Sequence, residues 1–428
     1  MFRLTHRTLT SLLIILVLLA MSCDGDEGGG TPSPSAFASP ALQAQGLLAV
    51  ANFSKAGPDA QREVDARLTV YDVGTGKAID LGDVNSSCFS WSPDGKTLAF
   101  GGSQKLAVAM FPGGTVRAVD GLPSGTAVNC PGSWAPGGSR FTFVTSTGDG
   151  NSLWVADVAT GGINRLVAAT DTERVGSGGL WLDEDRVLVV MQATDDEGRI
   201  VIVDSRTGTV ERTFEPNGFV SGISVRADGL IAVGASTGAR VADANRVIVL
   251  DSQKDQTTPL LDGAIQPMWS PDGGHVLVFQ PRYGDGSNLL ILLQADCSSP
   301  QQLLMEGSAT GMGSWATDAS RLVIASMDAN EHDMTVTTYR WDGKDGLGER
   351  LNQVTLKNSY PATFGLVGPQ YFGYLLAPAG DHLAVMSPTG ALEGNFNETK
   401  LFVADLASGE LLDIGEVGVF SGVAWAPH

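Results

Sequence analysis

The chain has 428 residues, of which 47 are Asp or Glu and 27 are Lys or Arg, so its formal net charge is −20. A surface this acidic repels phosphate backbones, and we therefore expect no binding to nucleic acid. The part beyond residue 44 is too long for one ordinary hydrophobic core, but its length suits a closed array of repeats.

The N-terminus has the pattern of an export signal. Arg3 and Arg7 precede an apolar run at residues 12–20 that is too short for a membrane-spanning helix. We therefore predict a signal peptide at residues 1–22. An ordinary signal peptide cut near Ser22, without lipidation, is the alternative.

A lipid anchor and a tether are predicted next. Ala20–Cys23 is similar to a bacterial lipobox, although Ala20 stands where leucine is usual, and this makes Cys23 the predicted lipidation site. Residues 24–44 are rich in Gly, Pro and Ser and cannot bury enough apolar surface to order themselves, which predicts a flexible tether. We expect export and attachment to a bacterial membrane through the lipid alone, facing the periplasm or the cell exterior. Whether that is the inner or the outer membrane stays open.

One short phrase recurs through residues 45–428: a large apolar residue, a Pro-Asp-Gly type of turn and an apolar strand. The phrase reads SWSPDGKTLAF at residues 90–100 and MWSPDGGHVLVF at residues 268–279. Successive copies lie 43 to 49 residues apart, with one interval of 61, and this period suits a four-stranded propeller blade. The first large residue of each copy defines a column: Trp91, Trp134, Trp181, Val225, Trp269, Trp315, Leu376 and Trp425.

Each repeat contains the signals of four antiparallel strands. Pro presets the backbone for the first turn position, and Gly supplies the positive φ that the turn needs. A later strand ends in Asp before a Thr-Gly or Ser-Gly turn, as at Asp157 and Asp204. We interpret the tryptophans as packing residues between blades, with an aromatic ligand cage as the alternative, and the Asp residues as turn-stabilising groups.

The count of copies predicts an all-β fold, an eight-bladed β-propeller. The last copy stops at the C-terminus, while residues 46–53, 66–72 and 77–82 form strands with no preceding tryptophan motif. The N- and C-terminal strands should therefore share one blade and close the ring, which removes exposed sheet edges. The long interval before Leu376 has its excess between Lys357 and Phe372, as an extra hairpin or a loop over one face. If Leu376 is not a true copy, the ring has seven blades.

The WSPDG phrase with its following strand, and a downstream V-x-D-x-x-T-G, resemble the TolB-type, WD40-like β-propeller repeat. The closest copies begin at Trp91 and Trp269, residues 141–161 match the family's second-to-third strand hairpin, and the resemblance covers residues 45–428. It implies a periplasmic or surface propeller that binds proteins or small ligands. The N-terminal domain of TolB is missing and several copies are degenerate, so TolB's own role is not carried over. The repeat is specific for fold and not for function.

Three cysteines remain after the lipidation candidate. Cys88 and Cys130 begin the same strand of adjacent blades, so a disulfide between them is one reading in an oxidising compartment, and two separate thiols are the other. Cys297 has no evident partner.

Metal ligands are sparse. His275 and His382 occupy the same repeat position in different blades, and equivalent positions lie far apart around a ring, so we expect no shared metal. Calcium is the only ion that the loops suggest, at Met327–Asp333 and Thr194–Arg199, yet neither loop has EF-hand spacing, and solvated hairpin tips are the simpler interpretation. We predict no cofactor.

These observations favour a monomeric, lipid-anchored propeller that acts as a binding scaffold for a protein or glycan of the cell envelope, and not an enzyme. The rival hypothesis is an enzyme or sensor that binds a small molecule at the central channel, with a divalent ion held by carboxylates such as Asp183 and Asp185. A third hypothesis is a purely structural protein of the cell envelope. The ligand and the binding face stay open.

Overall fold

The computed structural model contains eight antiparallel sheets, which are the blades of a β-propeller. Each blade has strands A to D, from the innermost to the outermost. The structure describes residues 45–53, 66–84, 89–102, 105–123, 126–147, 150–176, 179–193, 197–237, 245–254, 256–281, 288–295, 302–307, 311–327, 333–343, 347–362, 373–388, 399–417 and 422–427.

The first four blades follow the predicted order. Blade 1 takes its A strand from the C-terminus, and blade 4 has a divided A strand. In A-to-D order the strands of blade 1 are β33 (Gly422–Trp425), β1 (Leu47–Phe53), β2 (Ala66–Asp72) and β3 (Lys77–Val84); of blade 2, β4 (Phe89–Trp91), β5 (Thr97–Gly102), β6 (Lys105–Met110) and β7 (Thr115–Val119); of blade 3, β8 (Ala127–Trp134), β9 (Arg140–Thr147), β10 (Gly150–Asp157) and β11 (Ile163–Ala168); of blade 4, β12 (Glu173–Val175) with β13 (Leu180–Trp181), β14 (Arg186–Ala193), β15 (Gly198–Asp204) and β16 (Val210–Phe214).

The remaining blades have the same order. Their strands are, for blade 5, β17 (Phe219–Val225), β18 (Leu230–Ser236), β19 (Asn245–Asp251) and β20 (Gln256–Asp262); for blade 6, β21 (Ile265–Trp269), β22 (His275–Pro281), β23 (Asn288–Gln294) and β24 (Gln302–Gly307); for blade 7, β25 (Gly311–Trp315), β26 (Arg321–Met327), β27 (Met334–Trp341) and β28 (Leu347–Leu356); for blade 8, β29 (Tyr360–Pro361), β30 (His382–Pro388), β31 (Thr399–Asp405) and β32 (Leu411–Val417).

The two ends of the described chain close the ring, as the sequence predicts. β33 pairs antiparallel with β1, from Leu48 opposite Trp425 to Ala51 opposite Gly422. The amide of Ala426 donates to the carbonyl of Leu47 at 2.8 Å. The eight-bladed prediction is therefore confirmed, and the seven-bladed alternative is wrong.

The turn between strands A and B owes its shape to three side-chain and backbone preferences. In blade 2, the Ser92 hydroxyl donates to Asp94 at 2.7 Å and accepts the Thr97 amide at 2.9 Å. Gly95 then adopts a φ of 65°, which a residue with a Cβ rarely tolerates. The Ser-Pro-Asp-Gly phrase is thus a self-bonded turn that sends the chain back into strand B.

Indole hydrogen bonds join four blades to the blade before them, through Trp91, Trp134, Trp181 and Trp425. The Trp134 indole N–H donates to the Ser90 carbonyl at 3.0 Å, and the Trp181 indole donates to the Ser133 carbonyl at 3.0 Å. In both cases the acceptor is the residue just before the column residue of the preceding blade. Trp425 obeys the same rule with Leu375 as its acceptor at 3.0 Å, so Leu376 is a true column residue.

Strands B and C read as almost continuous apolar runs because neighbouring blades cover both faces of each sheet. β14 shows this plainly, since its residues 187–191 are all buried. The column tryptophans close the inner part of the same interfaces and are 4% to 8% exposed. The core is therefore a ring of separate clusters between blades, and the fold depends on every interface being filled.

The long interval before Leu376 lies inside strand A of blade 8. Tyr360 and Pro361 pair with Met386 and Val385, and the chain rejoins the same strand where Leu376 bridges Leu383. The extra residues therefore interrupt the innermost strand, and whether they form an added hairpin or a loop over one face stays a prediction. Residues 363–372 lie outside the described part.

Candidate functional site

The two faces of the ring differ in their connections. In an antiparallel blade, the A–B and C–D turns lie at one end and the B–C and D–A connections at the other. The first end, here called the turn face, has connections of four or five residues, with one of seven at 295–301. The opposite end, here called the loop face, has B–C connections from two residues, at 103–104, to twelve, at 54–65.

Side chains from the outer D strands hold the rim of the turn face together. Each donates to a carbonyl of the C–D turn in the next blade. Arg212 donates to Gln253 at 2.8 Å, Asn164 to Arg206 at 2.8 Å, Asn352 to Ala407 at 2.8 Å, and Arg117 to Val158. The repeated use of one geometry means that these polar residues connect blades, a role that sequence reasoning missed because the D strands align poorly.

Nearer the axis, two arginines stack on the column tryptophan of the following blade. The Arg140 guanidinium lies 5.1 Å from the Trp181 ring centre, and that of Arg226 lies 4.8 Å from the Trp269 ring centre. Arg226 also donates to the Gly273 carbonyl at 2.8 Å. A cation over an indole face stabilises both partners, more so when they are partly buried.

A polar cleft of about 620 Å³ opens on the turn face between blades 3 and 4. Its volume is in the range of small-molecule sites. Basic, acidic and small polar groups share its walls, with two aliphatic residues beside them. The lining residues are Ser139, Arg140, Val155, Asp157, Gly162, Ile163, Asn164, Glu184, Ser205 and Arg206.

The two arginines of this cleft are both paired with Asp185, which follows the lining residue Glu184. Asp185 lies 2.9 Å from Arg206 and 3.5 Å from Arg140, so one carboxylate bridges two guanidinium groups. Arg140 also donates to the Ser205 hydroxyl at 2.9 Å and to the Glu184 carbonyl. The cleft is therefore a built ionic contact between blades.

Asp183, the other carboxylate of the channel-enzyme hypothesis, is held in the same turn. Burial raises its pKa, but hydrogen bonds from Arg186 and from the amides of Asp185 and Arg186 outweigh burial, and the net pKa is lowered. The structure thus places Asp183 and Asp185 in the A–B turn of blade 4, each paired with arginine. The pKa of Asp183 is lowered, whereas a general acid needs a raised one.

The Asp residues that end strand C stabilise the turns that follow them. In five blades the carboxylate accepts the backbone amide three residues later, with distances between 2.7 and 3.1 Å, at Asp72, Asp157, Asp204, Asp251 and Asp405. The Thr207 amide and hydroxyl lower the pKa of Asp204, and the Thr160 amide lowers that of Asp157. These carboxylates cap the turns that follow strand C.

His275 and His382, the two histidines at equivalent repeat positions, lie in separate blades, 6 and 8. His275 is 3% exposed and meets Trp341 edge-on, with ring centres 4.9 Å apart. His382 lies between Asp381, at 2.9 Å, and Asp405, at 3.6 Å. Among the described residues, no three His, Cys, Asp or Glu side chains converge on a point that would suit a metal ion.

Several sequence-based predictions fall on residues beyond the described part. Among them are Cys23, Cys88, Cys297, most of the first calcium loop and half of the second. Cys130 belongs to β8, where its backbone pairs with Val144. Asp333, at the end of the first loop, accepts the Asn358 amide at 3.0 Å. The disulfide, the lipidation and a calcium ion stay predictions.

Sequence reasoning also passed over a G-x-S-x-G pentapeptide at residues 234–238, the pattern of a hydrolase nucleophile. That motif works at a sharp turn from a strand into a helix. Here Ser236 ends β18 and pairs with Phe219 on one side and Asn245 on the other, inside an antiparallel sheet. The surroundings of Ser236 in the described structure are those of a propeller strand.

Replacing Arg140 with Met should lower the free energy of unfolding by about 1 to 3 kcal/mol, because the Ser205 hydroxyl and the Glu184 carbonyl lose their donor and Trp181 loses its cation. Chemical denaturation measures the loss. Arg165→Met, at an exposed position of the same blade, is the matched control and should change stability little. Equal effects of the two substitutions would contradict the role given to Arg140.

The fold defines the class of this chain: it is an eight-bladed β-propeller of four-stranded antiparallel blades. No protein-family model matches it. A 95-residue stretch is 30% identical to the uncharacterized peptidase YuxL of Bacillus subtilis strain 168, and the match spans 21% of this chain but 14% of that relative.

The chain is also similar to solved structures. Dipeptidyl peptidase 4 of Porphyromonas gingivalis is similar over 83% of this chain and 56% of its own length, with 12% identity and a TM-score of 0.52. TolB from Acinetobacter baumannii is also among the neighbours, over 60% of this chain and 63% of its own, with 19% identity and a TM-score of 0.37. At such identities the likeness concerns the fold alone. In the described residues, no helix is long and apolar enough to cross a membrane.

Proposed function

We propose that the chain is a lipid-anchored scaffold of the bacterial envelope and binds a protein or glycan partner on its loop face. One observation carries this proposal. The turn face has short, uniform turns joined by hydrogen bonds between blades, whereas the B–C connections of the loop face vary from two to twelve residues. Variable loops on a rigid frame are where proteins place recognition, since their length can change without disturbing the fold.

The anchor is supported by the sequence before the propeller. The apolar run at 12–20, the lipobox-like Ala20–Cys23 and the Gly/Pro/Ser-rich residues 24–44 form a coherent order of signal, lipid and tether. A bacterial lipoprotein cysteine carries several acyl chains, and more than one chain is needed for firm attachment. Cys23→Ser should move the protein from the membrane fraction to the soluble fraction. If the variant stays with the membrane, the lipid anchor is wrong.

The binding face is tested by photo-crosslinking in the native envelope. A photoreactive amino acid is placed at exposed positions of the loop face, Thr172 and Phe219, and of the turn face, Ala159 and Ala407. We expect a discrete crosslinked product from the loop-face positions and none from the turn-face controls. Products from the turn face alone would overturn the assignment of the face, and no product from either face would overturn the scaffold role.

The names of the relatives include peptidases, but peptide hydrolysis is not part of the proposal. The stretch shared with YuxL covers 14% of that protein, and the propeller covers 56% of the Porphyromonas gingivalis enzyme. Most of YuxL and close to half of the Porphyromonas gingivalis enzyme have no counterpart in the match, so the activity of either whole protein is not carried over.

A further inference from the structure

The connection between β16 and β17, residues 215–218, lies on the loop face and contains the chain's single Asn-Gly dipeptide. Asn217 is exposed and has a φ of 54°. A left-handed conformation is tolerated by Asn better than by most residues. Asn217 lies outside the pairing of β17 with β18, which begins at Phe219.

Gly218 is buried, and its backbone nitrogen follows this side chain directly along the chain. Its carbonyl accepts the Gly198 amide at 3.0 Å, whereas its own N–H finds no acceptor among the residues that the structure describes. Glycine has no side chain to hinder approach to its nitrogen. The backbone nitrogen of Gly218 can therefore reach the side-chain amide carbon of Asn217, because the two atoms would close a five-membered ring.

Arg246 is the third residue of this site, after Asn217 and Gly218. Its guanidinium donates to the Pro216 carbonyl at 2.6 Å and to the Asn217 carbonyl at 3.3 Å. When the Gly218 nitrogen loses its proton, the negative charge of that peptide group spreads onto the Asn217 carbonyl oxygen. A cationic donor already placed at that oxygen stabilises the charge as it develops, as donors in an oxyanion hole do.

We propose that Asn217–Gly218 is a site of spontaneous deamidation that Arg246 promotes. Hydroxide removes the Gly218 amide proton, and the nitrogen attacks the Asn217 side-chain carbon. The carbon–nitrogen bond of the side-chain amide breaks, and the nitrogen leaves as ammonia after taking a proton from water. Water then opens the resulting succinimide at either carbonyl, which yields aspartate or isoaspartate at position 217, so one water is consumed and one ammonia released.

The product changes the loop face at this point. A carboxylate replaces a neutral amide beside the Arg246 guanidinium, and isoaspartate also lengthens the backbone by one carbon just before β17. The fit there is close, since a Cβ on Gly218 would lie 2.6 Å from the Ser236 carbonyl oxygen. The effect is therefore local to the start of strand A in blade 5, and the inference does not depend on the partner proposed above.

The test follows isoaspartate by peptide mapping while the folded, full-length protein is incubated at mildly alkaline pH. We expect the peptide that contains residue 217 to convert fastest of all asparagine peptides, and at least as fast as the free hexapeptide Glu-Pro-Asn-Gly-Phe-Val. Asn358 is the internal control, because it also has a positive φ, of 46°, but precedes Ser359, whose side chain hinders approach to the backbone nitrogen. A residue-217 peptide no faster than the Asn358 peptide, or far slower than the free hexapeptide, would overturn the proposal.

Two variants separate chemistry from folding. Asn217→Gln removes the five-membered ring and should abolish the product at this position. Arg246→Met should slow the conversion in the folded protein, with circular dichroism as the check that the blade is intact. An unchanged rate in a folded Arg246→Met variant would remove Arg246 from the mechanism, and the comparison of native protein with free hexapeptide decides the case if that variant does not fold.

Discussion

Deletion of residues 421–428 is expected to abolish the cooperative thermal unfolding of the native ring and to leave an aggregation-prone chain. The deletion removes β33 and exposes the edge of β1, and an unpaired edge is a template for association with other chains. It also removes Trp425, which is 4% exposed. Loss of a buried tryptophan by itself costs about 3 to 5 kcal/mol, a large part of the stability of an ordinary domain.

The same deletion disturbs both neighbouring blades. The Leu375 carbonyl of blade 8 loses the Trp425 indole as its donor, and the Trp91 indole of blade 2 loses the Ala424 carbonyl as its acceptor, at 3.2 Å. The matched control removes only residues 427–428, which leaves the Ala426–Leu47 hydrogen bond in place. Scanning calorimetry compares the two. Identical unfolding of both truncated proteins would mean that β33 does not close the ring.

Trp181→Ala is expected to lower the free energy of unfolding by about 3 to 5 kcal/mol, since it empties an interface between blades 3 and 4 that cannot collapse without moving whole sheets. Trp181 is 8% exposed, and its ring lies beneath the Arg140 guanidinium. Denaturant titration measures the loss. A change below about 1 kcal/mol would contradict the packing role.

A pair of conservative substitutions isolates the indole hydrogen bond. Trp181 donates to the Ser133 carbonyl, whereas the Trp269 indole nitrogen has no hydrogen-bond partner among the described residues. Phe keeps most of the ring but removes the donor. The Ser133 carbonyl also accepts from the Thr142 hydroxyl at 3.2 Å, so Trp181→Phe should cost about 0.5 to 1.5 kcal/mol more than Trp269→Phe, the net contribution of one hydrogen bond. Equal costs would show that the hydrogen bond adds nothing to packing.

Much of the propeller could be predicted from the repeat, because the repeat reflects side-chain and backbone preferences that act within a few residues. Ser92, Asp94 and Gly95 make a turn from their own side chains and dihedral preferences, and the same phrase makes the same turn at Ser270. Blade 8 was harder to predict from the sequence. Its insertion interrupts strand A, and the register of a strand against its neighbour is a pairing between distant residues that no local pattern states.

The candidate site was also harder to predict from the sequence, because it too depends on contacts between distant residues. Asp183 and Asp185 looked like free carboxylates near a channel. Arg186 follows Asp183 by three residues, and Arg206 meets Asp185 within blade 4. Arg140 meets Asp185 only because blades 3 and 4 pack side by side. The rim contacts of Arg117 and Arg212 depend on the same packing, and a single exposed arginine in a weak strand carries no sign of it.

By itself, the sequence determined the blade: its period, its turns, the tryptophan column and the need for both chain ends to complete one sheet. These follow from apolar alternation and turn preferences, which act over a few residues. Only the tertiary structure decided which charged groups meet across the interfaces, which indoles find acceptors, and that one face is held by bonds between blades while the other carries connections of unequal length. Those outcomes depend on contacts between residues 40 or more positions apart, and closing the ring is what brings such residues together.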